Sequence, residues 1–125
     1  MALRTCTLCG YSSDNLEEFV QDKDHKYGHR NRCKICEKER TKRTQRERRK
    51  LINDLKRGKP CEICGVVYHP CAMDYHHAGD KVKEFSIASY CCKPRITTEE
   101  LLKEVAKCML LCANCHRILH YAEEE

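Results

Sequence analysis

The sequence predicts a small α+β fold that is stabilised by zinc rather than by a large apolar core. The chain has 125 residues, of which 34% are charged, none is Trp and only 2 are Phe. Small domains bury a low fraction of their surface, and units below about 40 residues usually need cross-links to remain folded. Eight of the 12 cysteines fall into four Cys-x-x-Cys pairs, which is the spacing with which proteins bind structural zinc.

Metal binding is expected rather than disulfide formation because the sequence suggests a reducing compartment. Met1 is not followed by the apolar segment of a secretory signal. The chain also lacks any run close to the ~18 apolar residues of a membrane span. We therefore expect a cytoplasmic location, where cysteines bind metal more often than they pair.

Residues 1–36 are predicted to form a four-Cys zinc finger. Cys6 and Cys9 precede a glycine, and Cys33 and Cys36 follow after 23 intervening residues. Two such pairs can place four thiolates on one tetrahedral ion. The segment resembles the small treble-clef or ribbon fingers that often precede phage nucleases. A redox or disulfide pairing is the alternative.

Residues 37–57 are predicted to form a basic helical linker. They contain no Gly or Pro and stop before Gly58, and good helix formers dominate them. Segment 37–59 holds eleven basic and four acidic residues. A local basic stripe is typical of nucleic-acid-binding surfaces, and a solvated helix face is the alternative. The side chains expected to contact DNA phosphates are Arg43, Arg46, Arg48, Arg49 and Lys50.

Residues 58–125 are predicted to form a second zinc-bearing domain. Cys61 and Cys64 are separated from Cys112 and Cys115 by 47 residues. One zinc ion would thus join the beginning of this domain to its end, and its binding energy would add to folding stability.

Local patterns predict the elements between those cysteines. Weak alternation predicts a short strand over 72–76. Thr97-x-x-Glu100 matches a capping box and predicts a helix over 98–107. A last helix is expected to begin near Ala113.

The histidines of this domain are spaced for metal binding. His116 and His120 lie at i and i+4, which places them on one face of a helix. A zinc ion at Cys115 would fix the start of that helix, and His76 and His77 stand in the upstream strand. Two unrelated surface histidines would be the alternative for the helical pair alone.

Taken together, these segments resemble the HNH endonuclease family. The matching stretches are residues 61–65 (CEICG), 73–77 (MDYHH) and 111–120 (LCANCHRILH). The resemblance covers residues 58–121 and is to the zinc-bearing subgroup common in bacteriophages and mobile elements. It implies a phage-encoded protein acting in the host-cell cytoplasm.

The resemblance implies a ββα-metal motif, in which two strands and a helix surround one catalytic ion. His77 takes the position of the general base. His76, His116 and His120 take the positions of the metal ligands. The ion could be Mg²⁺, Mn²⁺, Ni²⁺ or Zn²⁺, in addition to two structural Zn²⁺.

The chain departs from the family at the middle Asn, whose position is occupied by Lys107. Asn114 is the nearby asparagine and is included as a candidate catalytic residue, although a capping role in the zinc knuckle is the alternative. Arg117, beside His116, is a candidate phosphate contact.

The implied function is a metal-dependent DNA endonuclease that hydrolyses phosphodiester bonds. It would act on double-stranded DNA as a monomer or homodimer and leave a nick or a double-strand break. One alternative is a non-enzymatic zinc-finger protein that binds DNA or RNA through a degenerate HNH site, which Lys107 favours. Another is a structural zinc scaffold that binds protein, which the basic stripe and the histidine pairs disfavour.

Overall fold

The fold is a small α+β arrangement, as the sequence predicts. The computed structural model describes residues 4–77, 79 and 82–124. The chain divides between Gln45 and Arg46 into two compact units, called unit 1 and unit 2 here. Within the described ranges, the structure contains no helix that is long and apolar enough to cross a membrane.

Unit 1 is built on short antiparallel strands around a small apolar centre. Its strand pairs are β1 (Arg4–Thr5) with β2 (Ser12–Ser13), and β3 (Phe19–Gln21) with β4 (His29–Cys33). Phe19 is fully buried, and it clusters with the buried Cys6 and Cys33. The centre of unit 1 is therefore formed largely by cysteines and one aromatic ring.

The predicted basic helix is present as α1 (Lys34–Lys56). It begins directly after β4 and continues across the boundary between the two units. Ile52 is its one buried residue, and Leu51 and Leu55 pack against the same apolar cluster of unit 2. The last turns of α1 are therefore part of the core of unit 2 and not only a connection.

Unit 2 contains the remaining strands and α-helices. They are β5 (Met73–His77), α2 (Ser89–Cys92), α3 (Thr98–Val105), β6 (Cys108–Cys112) and α4 (Ala113–Glu124). The predicted strand lies one residue later than expected, as β5. The predicted helix over 98–107 ends earlier, at Val105, and its N-terminus is capped as the sequence indicates, because Thr97 Oγ1 accepts from Glu100 N–H at 3.1 Å.

The two long strands of unit 2 form a regular antiparallel pair. Its register extends from Met73 opposite Cys112 to His77 opposite Cys108. Tyr75, in the middle of β5, packs against both apolar clusters of the unit. One cluster comprises Cys61, Met73, Leu110, Leu111 and Cys112. The other comprises Ile52, Ile87, Tyr90, Ile96 and Leu101.

Candidate functional site

The four cysteines of unit 1 converge on one point. Cys6 and Cys9 follow β1, Cys33 ends β4, and Cys36 lies in the first turn of α1. Their sulfur atoms all lie within 4.8 Å of one another. Cys9 Sγ is 3.8 Å from Cys33 Sγ. Two thiolates on one tetrahedral zinc at about 2.3 Å are separated by about 3.8 Å, so this cluster has the geometry to bind zinc.

The four cysteines of unit 2 form a second cluster of the same kind. Cys112 ends β6, and Cys115 lies in the first turn of α4. Together with Cys61 and Cys64 they bring four sulfur atoms within 4.8 Å of one another. Cys64 Sγ and Cys112 Sγ are 4.0 Å apart. A single zinc ion could therefore join the loop before β5 to the β6–α4 junction.

Both clusters use the same backbone turn. Gly10 N–H donates to Cys6 O at 2.9 Å, and Gly65 N–H donates to Cys61 O at 2.8 Å. The two glycines have φ values of 79° and 76°, a left-handed conformation that residues with a Cβ rarely adopt. The same turn therefore positions the first cysteine pair of each cluster.

Hydrogen bonds within the two clusters shift the pKa values of the thiols in both directions. Backbone hydrogen bonds lower the pKa of Cys6 to about 6. Burial raises the pKa of Cys61, but backbone hydrogen bonds outweigh this effect and lower it to about 6. Hydrogen bonds with the other thiols of each cluster raise the pKa of Cys36 and Cys115 to about 12. A divalent cation would hold each full set as thiolates at neutral pH.

Three histidines of unit 2 form a separate cluster. His76 comes from β5, and His116 and His120 come from α4. Each offers a ring nitrogen, and these atoms lie within 4.8 Å of one another. His116 Nε2 and His120 Nε2 are 3.0 Å apart. This histidine triad could hold one divalent ion and would leave coordination positions open, as catalytic sites do.

Neighbouring groups favour the metal-binding form of the triad. Burial, followed by the proximity of His116 and His120, lowers the pKa of His76 and favours its neutral imidazole. His116 Nδ1 donates to Asp74 Oδ2 at 3.1 Å. In a neutral His116 ring this hydrogen bond leaves the Nε2 lone pair facing His120, which is how carboxylates commonly orient metal-binding histidines.

His77 follows the triad residue His76 on β5 and is bonded to a different partner. Its Nε2 donates to Glu104 Oε2 at 3.1 Å. Glu104 is only 1% exposed, and its other oxygen accepts from Lys107 Nζ at 2.8 Å. Burial alone would raise the pKa of Glu104, but hydrogen bonds from Lys107, His77 and the Glu84 N–H lower it to about 2. Glu104 is therefore an ionised, buried carboxylate.

Glu104 was not among the site residues predicted from the sequence, although a signal was present. Leu101, Val105 and Cys108 follow one apolar face of α3 and the start of β6, and Glu104 falls on the same face. A carboxylate in an apolar repeat requires a buried partner. That partner could not be named without knowing that the strand with His77 lies beside α3.

Asn114 and Arg117 are placed differently from His77. Both are exposed residues at the start of α4. Among the residues that the structure describes, the hydrogen-bond partner of His77 is Glu104 and not Asn114. The geometry thus gives Asn114 no contact with the predicted base, and Arg117 is open to solvent beside the triad residue His116.

The basic residues of α1 separate into two kinds. The Arg48 guanidinium lies 4.1 Å from the centre of the Tyr90 ring. It also donates to backbone carbonyls at 2.8–3.2 Å, and the acceptors are Tyr90, Lys93, Pro94 and Ile96. These contacts make Arg48 a structural residue of unit 2 instead of an open phosphate contact. The residues of this set that are exposed are Arg43, Arg46, Arg49 and Lys50.

A cleft of about 490 Å³ lies next to the histidines of unit 2. Its lining includes His77, His116, Arg49, Lys56 and Lys83. Lys56 Nζ is bonded to Met73 O at 2.7 Å, whereas Arg49 and Lys83 are exposed. The cleft therefore combines one triad residue, the predicted base and two solvent-facing cations.

Comparison of the chain with protein-family models, curated proteins and solved structures found no match. Geometry alone therefore supports metal binding by the two four-Cys clusters and the histidine triad.

Proposed function

We propose that the chain is a metal-dependent endonuclease of the HNH type that hydrolyses phosphodiester bonds in double-stranded DNA. The observation that carries this proposal is that His77, which follows His76 on β5, lines the same cleft as the triad residue His116. β5, β6 and α4 have the order of the ββα-metal motif that the sequence resembles. The two four-Cys clusters would hold structural Zn²⁺, and the triad would hold the catalytic divalent ion.

The residues of unit 2 have the chemistry that this reaction needs. A neutral imidazole at His77 can take a proton from water near pH 7. The water oxygen then forms a bond to phosphorus, the bond from phosphorus to the 3′ oxygen breaks, and that oxygen takes up a proton. The products would be a 5′-phosphate and a 3′-hydroxyl. An ion in the triad would supply charge stabilisation at the phosphate and leaving oxygens.

The exposed cations offer contacts for the substrate. Arg49 and Lys83 line the same cleft as His77, so a phosphate in the cleft would meet two positive charges. Further cations of α1 are exposed, and these are Arg43, Arg46 and Lys50. Phosphate contacts of this kind position a duplex without reading its sequence. One active centre cuts one strand, so a monomer would nick and a homodimer could break both strands.

A second candidate is a zinc protein that binds DNA or RNA without cutting it. Lys107 favours this function, because the family has an asparagine at that position. The two candidates differ in whether His77 is required for a chemical change in the nucleic acid.

A nicking assay separates these candidates. Zinc-loaded protein is incubated with supercoiled plasmid and Mg²⁺ or Mn²⁺, and closed, nicked and linear forms are resolved by electrophoresis. The wild-type chain is expected to nick the plasmid. His77→Ala should lower the rate by about 10²–10⁴-fold, the usual contribution of a general base. His25→Ala is the matched control, because His25 is exposed and belongs to unit 1.

Two outcomes of this assay would contradict the nuclease proposal. Equal nicking by the wild-type chain and His77→Ala would assign the activity to a contaminant. A folded, zinc-loaded wild-type chain that binds plasmid but leaves it closed would overturn the nuclease proposal in favour of the binding protein.

A further inference from the structure

The buried carboxylate of Glu104 is the feature of unit 2 that the proposed reaction does not yet use. It lies on α3 with 1% of its surface exposed. Oε2 accepts from His77 Nε2 and from Glu84 N–H, both at 3.1 Å. Oε1 accepts from Lys107 Nζ at 2.8 Å. Each carboxylate oxygen therefore has at least one defined donor.

The Lys107 ammonium group has a second hydrogen-bond partner besides Glu104. Its Nζ also donates to Val82 O at 2.9 Å, so the ammonium group bridges α3 to the segment before α2. Burying a carboxylate is costly unless it is paired and hydrogen-bonded. The ion pair with Lys107 keeps Glu104 ionised at neutral pH, in agreement with its pKa of about 2.

The ionised carboxylate controls the protonation pattern of His77. A neutral imidazole has one nitrogen that donates and one that accepts. Because Glu104 can only accept, Nε2 of His77 must carry the hydrogen. Nδ1 is then left with its lone pair, and His77 lines the cleft beside His116. A carboxylate behind the ring also stabilises the imidazolium that forms when the base takes a proton.

We propose that Glu104 is the positioning residue for His77, and that Lys107 holds Glu104 in place as its counter-ion. This inference rests on the proposed nuclease function. In the related family the position of Lys107 carries the asparagine that orients the base. Here the orienting contact to His77 comes from Glu104, and Lys107 acts indirectly by binding Glu104. The contact that the asparagine makes to the base in the family is thus replaced by a contact from Glu104, which Lys107 supports.

Glu104→Gln tests this role with little change of volume. A glutamine has one acceptor oxygen, whereas Lys107 and His77 approach different oxygens of Glu104. If the amide oxygen faces Lys107, the NH₂ group faces His77 Nε2 and selects the opposite tautomer. We expect kcat for nicking to fall about 10–100-fold, the range for partners that orient a site residue, with KM changed less than about twofold. Glu100→Gln, an exposed position of α3, is the matched control.

A double-mutant cycle separates positioning from a general loss of structure. In a His77→Ala background, Glu104→Gln should cause no further loss of kcat, because its effect acts through His77. An equal loss in both backgrounds, or full kcat in the Glu104→Gln chain, would overturn the proposal. Lys107→Met combined with Glu104→Gln removes both charges of the ion pair together, and it should restore the melting temperature without restoring kcat.

The tautomer of His77 gives a readout that does not depend on nuclease activity. Nitrogen-15 NMR of the zinc-loaded chain should show His77 protonated at Nε2 and unprotonated at Nδ1. The opposite tautomer would overturn the positioning role even if the chain cuts DNA. If the chain does not cut DNA but shows the expected tautomer, the nuclease proposal fails and the Glu104–His77 contact stands.

Discussion

Over the residues that the structure describes, units 1 and 2 share one frame around a four-Cys cluster, and the candidate catalytic site lies in unit 2. In each unit a Cys-x-x-Cys-Gly turn precedes an antiparallel strand pair, and a second cysteine pair spans the junction of strand and helix. The buried residue opposite the last strand cysteine is Phe19 in unit 1 and Met73 in unit 2. The frame therefore does not depend on the histidines.

The difference lies in a few side chains and one insertion. Counted from the last cysteine of each cluster, Glu37 occupies the place of His116, and Thr41 occupies the place of His120. The strands of unit 1 are separated by residues 22–28, whereas those of unit 2 are separated by residues 78–107. That longer segment contains α3, which brings Glu104 to His77. The two units thus have the same four-Cys frame, and unit 2 differs from unit 1 in the longer segment and in three histidines that could bind a further ion.

The largest expected effect is on the zinc clusters themselves. Cys61→Ser should release one zinc ion per chain, unfold unit 2 and abolish nicking, because zinc contributes on the order of 10 kcal/mol to such folds. Cys6→Ser should also release one zinc ion but leave the core of unit 2 folded. Metal analysis together with amide NMR spectra measures both outcomes. If Cys6→Ser unfolded unit 2 as well, the two frames would not be independent.

A smaller effect is expected from the residues that differ between the units. His120→Ala should weaken Mn²⁺ binding to the zinc-loaded chain at least as much as loss of an orienting partner does, which is about 10–100-fold. Thr41→Ala, at the matching place in unit 1, should leave Mn²⁺ binding unchanged. Isothermal titration calorimetry with Mn²⁺ provides the affinities. Unchanged affinity in His120→Ala would remove that residue from the metal site.

The smallest effect concerns the insertion and the helix beside it. Arg48→Ala should destabilise unit 2 by about 1 kcal/mol, since it removes hydrogen bonds to four backbone carbonyls, of which two belong to exposed residues. Arg49→Ala should change stability by less than about 0.5 kcal/mol. Instead it should make the slope of log binding constant against log salt concentration less steep, by about the contribution of one phosphate contact. Urea unfolding and binding isotherms at several salt concentrations measure the two effects.

Spacing in the sequence was enough to predict the parts that depend on local geometry. The Cys-x-x-Cys pairs predicted both four-Cys clusters, and the i, i+4 histidines next to Cys115 predicted the two helical members of the triad. The Thr97 cap predicted the start of α3. Each of these patterns spans only a few residues, so the backbone conformation follows from the residues themselves.

Contacts between distant segments could not be predicted in the same way. Arg48 looks like one of several equivalent arginines, but its carbonyl partners lie more than 40 residues away in the chain. Glu104 and His77 are 27 residues apart. Their pairing depends on how the insertion folds back on the strands, which no local pattern encodes.

The number of residues between the two cysteine pairs of each four-Cys cluster bears on how readily this protein can accept insertions and deletions. The cysteine pairs enclose 23 residues in unit 1 and 47 in unit 2. Closing a flexible loop becomes only about 0.6 kcal/mol more costly each time its length doubles. Once a metal ion joins the two ends, the segment between them can gain or lose residues at little entropic expense. The β5–β6 connection is therefore a place where new sequence can be accepted while both strands and the helix keep their positions.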